Sequence, residues 1–209
     1  MTGILNNKLR TAGKLSLTVT ALLLTCQVHG QEKNMDRYDS IAAKYKNEHA
    51  VYTELKQQLV ITAEDGKLVA NSHYTLEKLF LSDLSLNNYN TDNFYFSSLH
   101  QLTDYSGFIY VPQGRKYKKI TSNAFGAGRP HDYVFYDDNR VGQAYYSGVK
   151  KNALTETRYS IENADIHMLS PFLFQDFNLP VVHATFEIIA PNYVNMNFVL
   201  KGEHTDAIK

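Results

Sequence analysis

The chain has 209 residues, with 21 lysines and arginines balanced by 21 aspartates and glutamates. It contains no tryptophan, a single cysteine, and an aromatic content dominated by 15 tyrosines and 11 phenylalanines. No basic excess exists to hold a nucleic acid backbone, and one thiol allows neither an internal disulfide nor a thiolate metal cluster.

The first thirty residues read as an export signal. Lys8, Arg10 and Lys14 supply a positive leading region, Leu15 to Thr25 an apolar stretch, and Val28-His29-Gly30 a small-residue cut site ahead of Gln31. The apolar stretch is about half of the roughly 20 residues that a membrane span requires, so no transmembrane span is expected in the mature chain. Cys26 offers a competing reading as a lipid-bearing N-terminus, but Thr25 stands where that processing favours a small residue. A cut after Gly30 removes the only cysteine, and with it thiol chemistry of any kind. Three basic residues and no acidic ones leave with the signal, so the exported chain carries eighteen basic residues against twenty-one acidic. The expected location is periplasmic or extracellular.

Residues 31–209 are enough for one domain with a substantial core. Met35 to Asn47 has Ile41, Ala42 and Tyr45 at helical spacing and predicts a short N-terminal helix. From Tyr52 the period becomes two, with Leu55, Gln57, Leu59, Ile61 and Ala63 on one face. Glu64-Asp65-Gly66 closes this strand, and the return segment from Lys67 alternates through Tyr74, Leu76, Lys78 and Phe80, which predicts a hairpin. Asp83 to Asp92 is polar and reads as a loop. Short strands are expected at Phe94-Tyr95-Phe96 and at Phe108-Ile109-Tyr110-Val111, with a turn at Pro112-Gln113-Gly114. The basic run Arg115 to Lys119 reads as an exposed strand face.

Asn123 to Pro130, with two glycines and a proline, punctuates the chain, and it lacks the spacing of a phosphate-binding loop. Tyr133 to Tyr136, Val141 to Ser147, Glu156 to Ile161, Val181 to Ala190 and Tyr193 to Leu200 are dense in β-formers and are expected as further strands. Phe172, Phe174 and Phe177, between Pro171 and Pro180, are expected to plug one end of the core. The reading is mainly β: an antiparallel β-sandwich with a short N-terminal helix, in one domain over 31–209.

Several motifs of the C-terminal half carry a family resemblance. They are Phe135-Tyr136-Asp137-Asp138-Asn139-Arg140, Tyr145-Tyr146-Ser147-Gly148, Arg158-Tyr159, Asp165-Ile166-His167, Pro171-Phe172-Leu173-Phe174, Leu179-Pro180-Val181 and Phe186 to Pro191. Their order resembles, over roughly Tyr38 to Gly202, the N-terminal domain of unknown function that precedes a transglutaminase-like domain in secreted bacterial proteins. The resemblance implies a β-sandwich without an assigned catalytic role, since the Cys-His-Asp chemistry of that family belongs to the following domain. The sequence stops at Lys209, where that domain would begin, and offers no mature cysteine to act as nucleophile.

Polar constellations set out the alternatives. His131-Asp132, Asp165 and His167, with His183, are residue types that bind divalent metals or move protons, and residues two apart on a strand share a face. They would serve a small periplasmic hydrolase or metal-assisted enzyme if gathered in one pocket. No serine sits in a nucleophile elbow, and Asp137 with Asp165 or Glu187 could serve glycoside cleavage only at a defined separation. Arg140 and Arg158 could hold an acidic ligand, or else pair with Asp137, Asp138 or Glu156 across neighbouring strands. Tyr89, Tyr105, Tyr117, Tyr145 and Tyr146 are the tyrosines that could touch a ligand. The function expected from the whole is a non-catalytic interaction or scaffold domain without a cofactor, its partner an envelope protein or glycan.

Overall fold

A computed structural model describes residues 33, 35–83, 88–129, 138–197 and 199–202. The export signal and Tyr133 to Tyr136 lie outside the described residues.

The chain opens with helix α1 (Met35–Lys44), which has Asp36 in its first turn and Lys44 in its last, both in favourable positions for the helix dipole. Tyr38 and Ile41, three apart, form its buried face. Strands β1 (Ala50–Glu64) and β2 (Lys67–Phe80) follow as one long hairpin. Its two-residue turn is Asp65-Gly66, with φ of 48° and 77°. Both angles are positive, which is the twist a tight hairpin needs and the reason an Asp-Gly pair stands there.

The remaining strands are β3 (Thr91–Phe96), β4 (His100–Gln113), β5 (Lys116–Ser122), β6 (Phe125–Gly128), β7 (Arg140–Tyr145), β8 (Leu154–Asn163) and β9 (Ala184–Ile189). They form a six-stranded sheet in the order β5-β4-β8-β2-β1-β9 and a three-stranded sheet in the order β3-β7-β6. The sandwich expected from the strand rhythm is therefore present, with its short helix.

Alternation along the strands separates the large sheet into two faces. One face carries Val51, Leu79, Tyr110 and Leu154, packed beneath Tyr38 and Ile41 of α1. The other carries Phe80 and Ile109, which meet Phe94, Ala144 and Tyr146 between the sheets. Aromatic stacking continues this inter-sheet core: the Phe94 ring lies 4.2 Å from Tyr159 and 5.9 Å from Phe125, and Tyr159 stacks on Tyr74 at 4.5 Å. At the far end Leu59, Ile61 and Ala70 are covered by Phe186 and by Ile166, Leu169, Val194 and Met196 of the C-terminal segments.

Several expectations change. β4 is one strand of 14 residues, because the β-formers Phe108 to Val111 sit inside a longer ladder with β8 that absorbs the polar residues before them. Phe125 to Gly128 forms a strand despite its glycines, since a small edge strand requires only backbone pairing with β7. Tyr193 to Leu200 forms no strand over its described residues: Val194 and Met196 pack on the core, while Tyr193, Val199 and Leu200 are exposed. Phe172 and Phe174 pack edge to face, and Phe172 stacks on Phe186, whereas Phe177 is 86% exposed and plugs nothing. β9 runs parallel to β1, the one departure from antiparallel pairing among the described strands.

Candidate functional site

The strongest electrostatics of the molecule are internal. Glu77 and Lys78 are consecutive on β2, so they point to opposite faces of the large sheet, and both are buried.

On the inter-sheet face the Lys78 ammonium lies 2.6 Å from Asp92 Oδ1 of β3, with side-chain exposures of 2% and 1%. It also donates to the Tyr89 carbonyl at 2.8 Å. Asp92 Oδ2 accepts from the Thr157 hydroxyl at 2.5 Å, and Thr157 in turn is hydrogen-bonded to the Tyr146 hydroxyl. Burial pushes the Tyr146 phenol up, and the negative charge of Asp92 adds to it, so this tyrosine stays protonated as a structural donor. The pair ties the two sheets together at the centre of the core.

On the helix face Glu77 and Glu156 stand directly opposite one another across β2 and β8. Two carboxylates so placed repel unless a cation lies between them. Lys33 supplies it, donating to Glu77 and, at 2.6 Å, to Glu156 Oε2, with its ammonium 4.3 Å from the Tyr110 ring centre. Glu77 Oε1 also accepts from Tyr38 at 2.8 Å and from Thr53 at 2.5 Å, the latter brought to it by a bulge in β1. Burial alone would raise the Glu156 carboxyl, but the charges of Lys33, Arg158 and Lys119 outweigh it and hold it below its ordinary value. Every carboxylate of this kind is matched, so both networks read as structural ties and not as poised acids.

Those of the residues singled out from the sequence that are described do not gather into one site. Asp165 and His167 lie beyond β8 in a turn, where Asp165 Oδ1 accepts the His167 amide at 2.8 Å, so the aspartate shapes the chain and the shared strand face does not exist. His183 faces Glu54 at 3.6 Å. His131, Asp132 and Asp137 lie outside the described residues. Among the described residues no three His, Cys, Asp or Glu side chains come together as a metal site would require.

Arg158 forms an ion pair with Glu156 Oε1 at 2.6 Å, two residues along the same strand instead of across strands. Its contact falls in ion-pair range but off the hydrogen-bond direction, leaving that oxygen without a directed partner. Arg140 donates to the Asn139 carbonyl and lines a shallow open depression of about 390 Å³ with Ser98, Gln101 and Asp138. Hydrogen bonds from the Ser98 hydroxyl and amide hold Asp138 below the ordinary carboxylate range. Tyr89, Tyr105 and Tyr117 pack against core clusters, and burial raises the Tyr117 phenol to about 12. Tyr146 is 1% exposed and belongs to the core, while its neighbour Tyr145 is 42% exposed on the outer side of the small sheet.

What sequence reasoning missed is the distribution of exposed apolar side chains. Among the described residues, nine of the fifteen large exposed ones fall between Met168 and Leu200, among them Leu173, Phe177, Val182, Ile188, Ile189 and Tyr193. They flank β9, an edge strand whose one ladder partner among the described residues is β1. The signal was present as an apolar C-terminal stretch, but periodicity assigned it to strands and hence to the core.

No established family profile matches the sequence, and no curated protein matches it. Among solved structures the fold is similar to part of a candidate protease from Parabacteroides distasonis, with a TM-score of 0.52 and 16% identity. The match covers 69% of this chain and 29% of the other, so the chain spans under a third of that protein's length. At this identity the likeness is one of fold. No helix among the described residues is long and apolar enough to cross a membrane.

Proposed function

We propose that this chain is a non-catalytic interaction domain, exported from the cytoplasm, that receives an extended segment of a protein partner along the outer edge of β9. The observation that carries the reading is the exposure of apolar residues on and just before that strand, Val182 at 37%, Ile188 at 37% and Ile189 at 46%. A strand edge offers unpaired backbone donors and acceptors, and apolar side chains beside it supply the burial that makes an added strand stable. Glu187, held by Lys56 and Gln58, leaves that stretch of edge without an uncompensated charge. The resemblance to domains that precede a transglutaminase-like domain supports the same picture, a sandwich that works by contact with another protein or domain. The leading segment with Lys8, Arg10 and Lys14 supports export.

A photoreactive residue placed at Ile189 tests the reading in intact producing cells, with one at Ile120 on the opposite edge strand β5 as control. The expected result is a discrete protein adduct from Ile189 alone, lost when Val182→Lys is added to a chain that still folds. No discrete adduct, or the same adducts from both edges, overturns it.

A further inference from the structure

The outer face of the three-stranded sheet has a different chemistry from the β9 edge. Alternation turns Asp92, Phe94, Gly142 and Ala144 toward the core, leaving Asn93 and Tyr95 of β3 and Gln143 and Tyr145 of β7 on the other side. Register sets Tyr95 opposite Val141, Asn93 opposite Gln143 and Thr91 opposite Tyr145. An amide pair thus stands between two tyrosine positions, which are four residues apart along the ladder, or about 13 Å of backbone.

Asn93, Gln143 and Tyr145 hold one another in place. Gln143 Nε2 donates to Asn93 Oδ1 at 3.2 Å, and the Tyr145 hydroxyl donates to Gln143 Oε1 at 2.5 Å. Alongside, β6 offers Gly126, where an added Cβ would sit in van der Waals contact with the Tyr145 ring at 3.6 Å. Tyr95 is 66% exposed and Tyr145 42%. The charged residues of β3 and β7, Asp92 and Arg140, belong to the opposite face.

We infer that this face binds a neutral, unbranched oligosaccharide, with Tyr95 and Tyr145 each stacking on a sugar ring and the Asn93–Gln143 amide pair meeting hydroxyls between them. Exposed aromatic planes match the C–H faces of pyranose rings, and amides donate to and accept from hydroxyls without a charge to desolvate. Two tyrosines four positions apart on the ladder call for an extended chain instead of a single sugar, and the pre-set ring of Tyr145 lowers the ordering cost of binding. A protein partner would be expected to find an apolar centre in such a patch, and the centre here is a pair of amides.

The test titrates the exported protein, by NMR and calorimetry, with cellohexaose, laminarihexaose, maltohexaose, xylohexaose, mannohexaose and chitohexaose. The expected result is binding of at least one, with shifts confined to β3, β6 and β7. Tyr145→Ala and Tyr95→Ala should each weaken it about tenfold at unchanged melting temperature, with Tyr95→Phe close to the parent protein. Silence from all six at about 10 mM, or binding indifferent to Tyr145→Ala in a folded variant, overturns the inference. Tighter binding of hexagalacturonate than of any neutral chain also overturns it. Ile189→Lys leaves the expected titration unchanged, so failure of the β9 reading is separable from failure of this one.

Discussion

Replacing Asp92 by asparagine removes one charge and almost no volume from the centre of the sandwich, and its cost follows from the contacts there. Asp92 faces Lys78 at 2.6 Å with both side chains at or below 2% exposure. After the substitution the ammonium keeps the Tyr89 carbonyl at 2.8 Å and a long contact to the Thr91 carbonyl at 3.5 Å, but no counter-charge. Breaking a buried pair in this way costs about 3–5 kcal/mol. In a domain of this size each kcal/mol moves Tm by about 2–4 °C, so Asp92→Asn should melt about 6–20 °C lower. With no tryptophan in the chain, the transition is read by circular dichroism or tyrosine fluorescence in guanidinium. The double variant Lys78→Met with Asp92→Leu removes both charges and should recover most of the loss, because the intact pair itself contributes little net stability. A loss below about 1 kcal/mol in Asp92→Asn, or a double variant as damaged as the sum of its singles, would refute the reasoning.

Two further substitutions address the other face and the stack. The Glu156 carboxyl is held below its unfolded value of about 4.5, so its stabilising contribution is complete above that pH and is lost as pH falls through the lower folded value. Lys33→Met should lower stability at neutral pH by about 1–3 kcal/mol and make the loss between pH 5 and 3 shallower; parallel pH profiles for the two proteins would count against the assignment. Gly142→Ala would set a Cβ 2.6 Å from the Phe94 ring, which is stacked on Tyr159, Tyr105 and Phe125 and has nowhere to move. Equilibrium unfolding should show a loss of about 1–3 kcal/mol, and a neutral result would mean the stack yields.

Where one rule governs a segment, the sequence was legible. The period of two from Tyr52 to Ala63 and the Asp-Gly turn specify the β1–β2 hairpin, and in the folded chain Leu55, Gln57, Leu59 and Ile61 are buried as the alternation requires. Ala63 is exposed because the hairpin outruns the core. The parallel placement of β9 was not legible, since nothing local in Ala184 to Ile189 tells which of two edges it joins or in which direction. The buried charges were hidden for a related reason. Glu77 and Lys78 alternate like any strand pair, and only the partners Lys33 and Asp92, distant in sequence, make their burial tolerable. At the surface, Tyr145 and Tyr146 are indistinguishable by residue type, and the phase of β7 alone decides that one meets solvent and the other the core.

The pairing of β9 with β1 joins the last strand to the first, Leu55 beside Ala184 and Val60 beside Ile189. A chain emerging from the ribosome N-terminus first can close the β1–β2 hairpin at once, but the side of β1 that pairs with β9 stays uncovered until about 105 further residues have arrived. During that interval the protein carries its own vacant docking edge, the stretch Leu55 to Val60 that β9 later fills. Synthesis from the N-terminus therefore imposes an order of events in which β9 acts as the domain's internal first ligand, and a chain halted before Ala184 leaves an edge ready to pair with a neighbouring nascent chain.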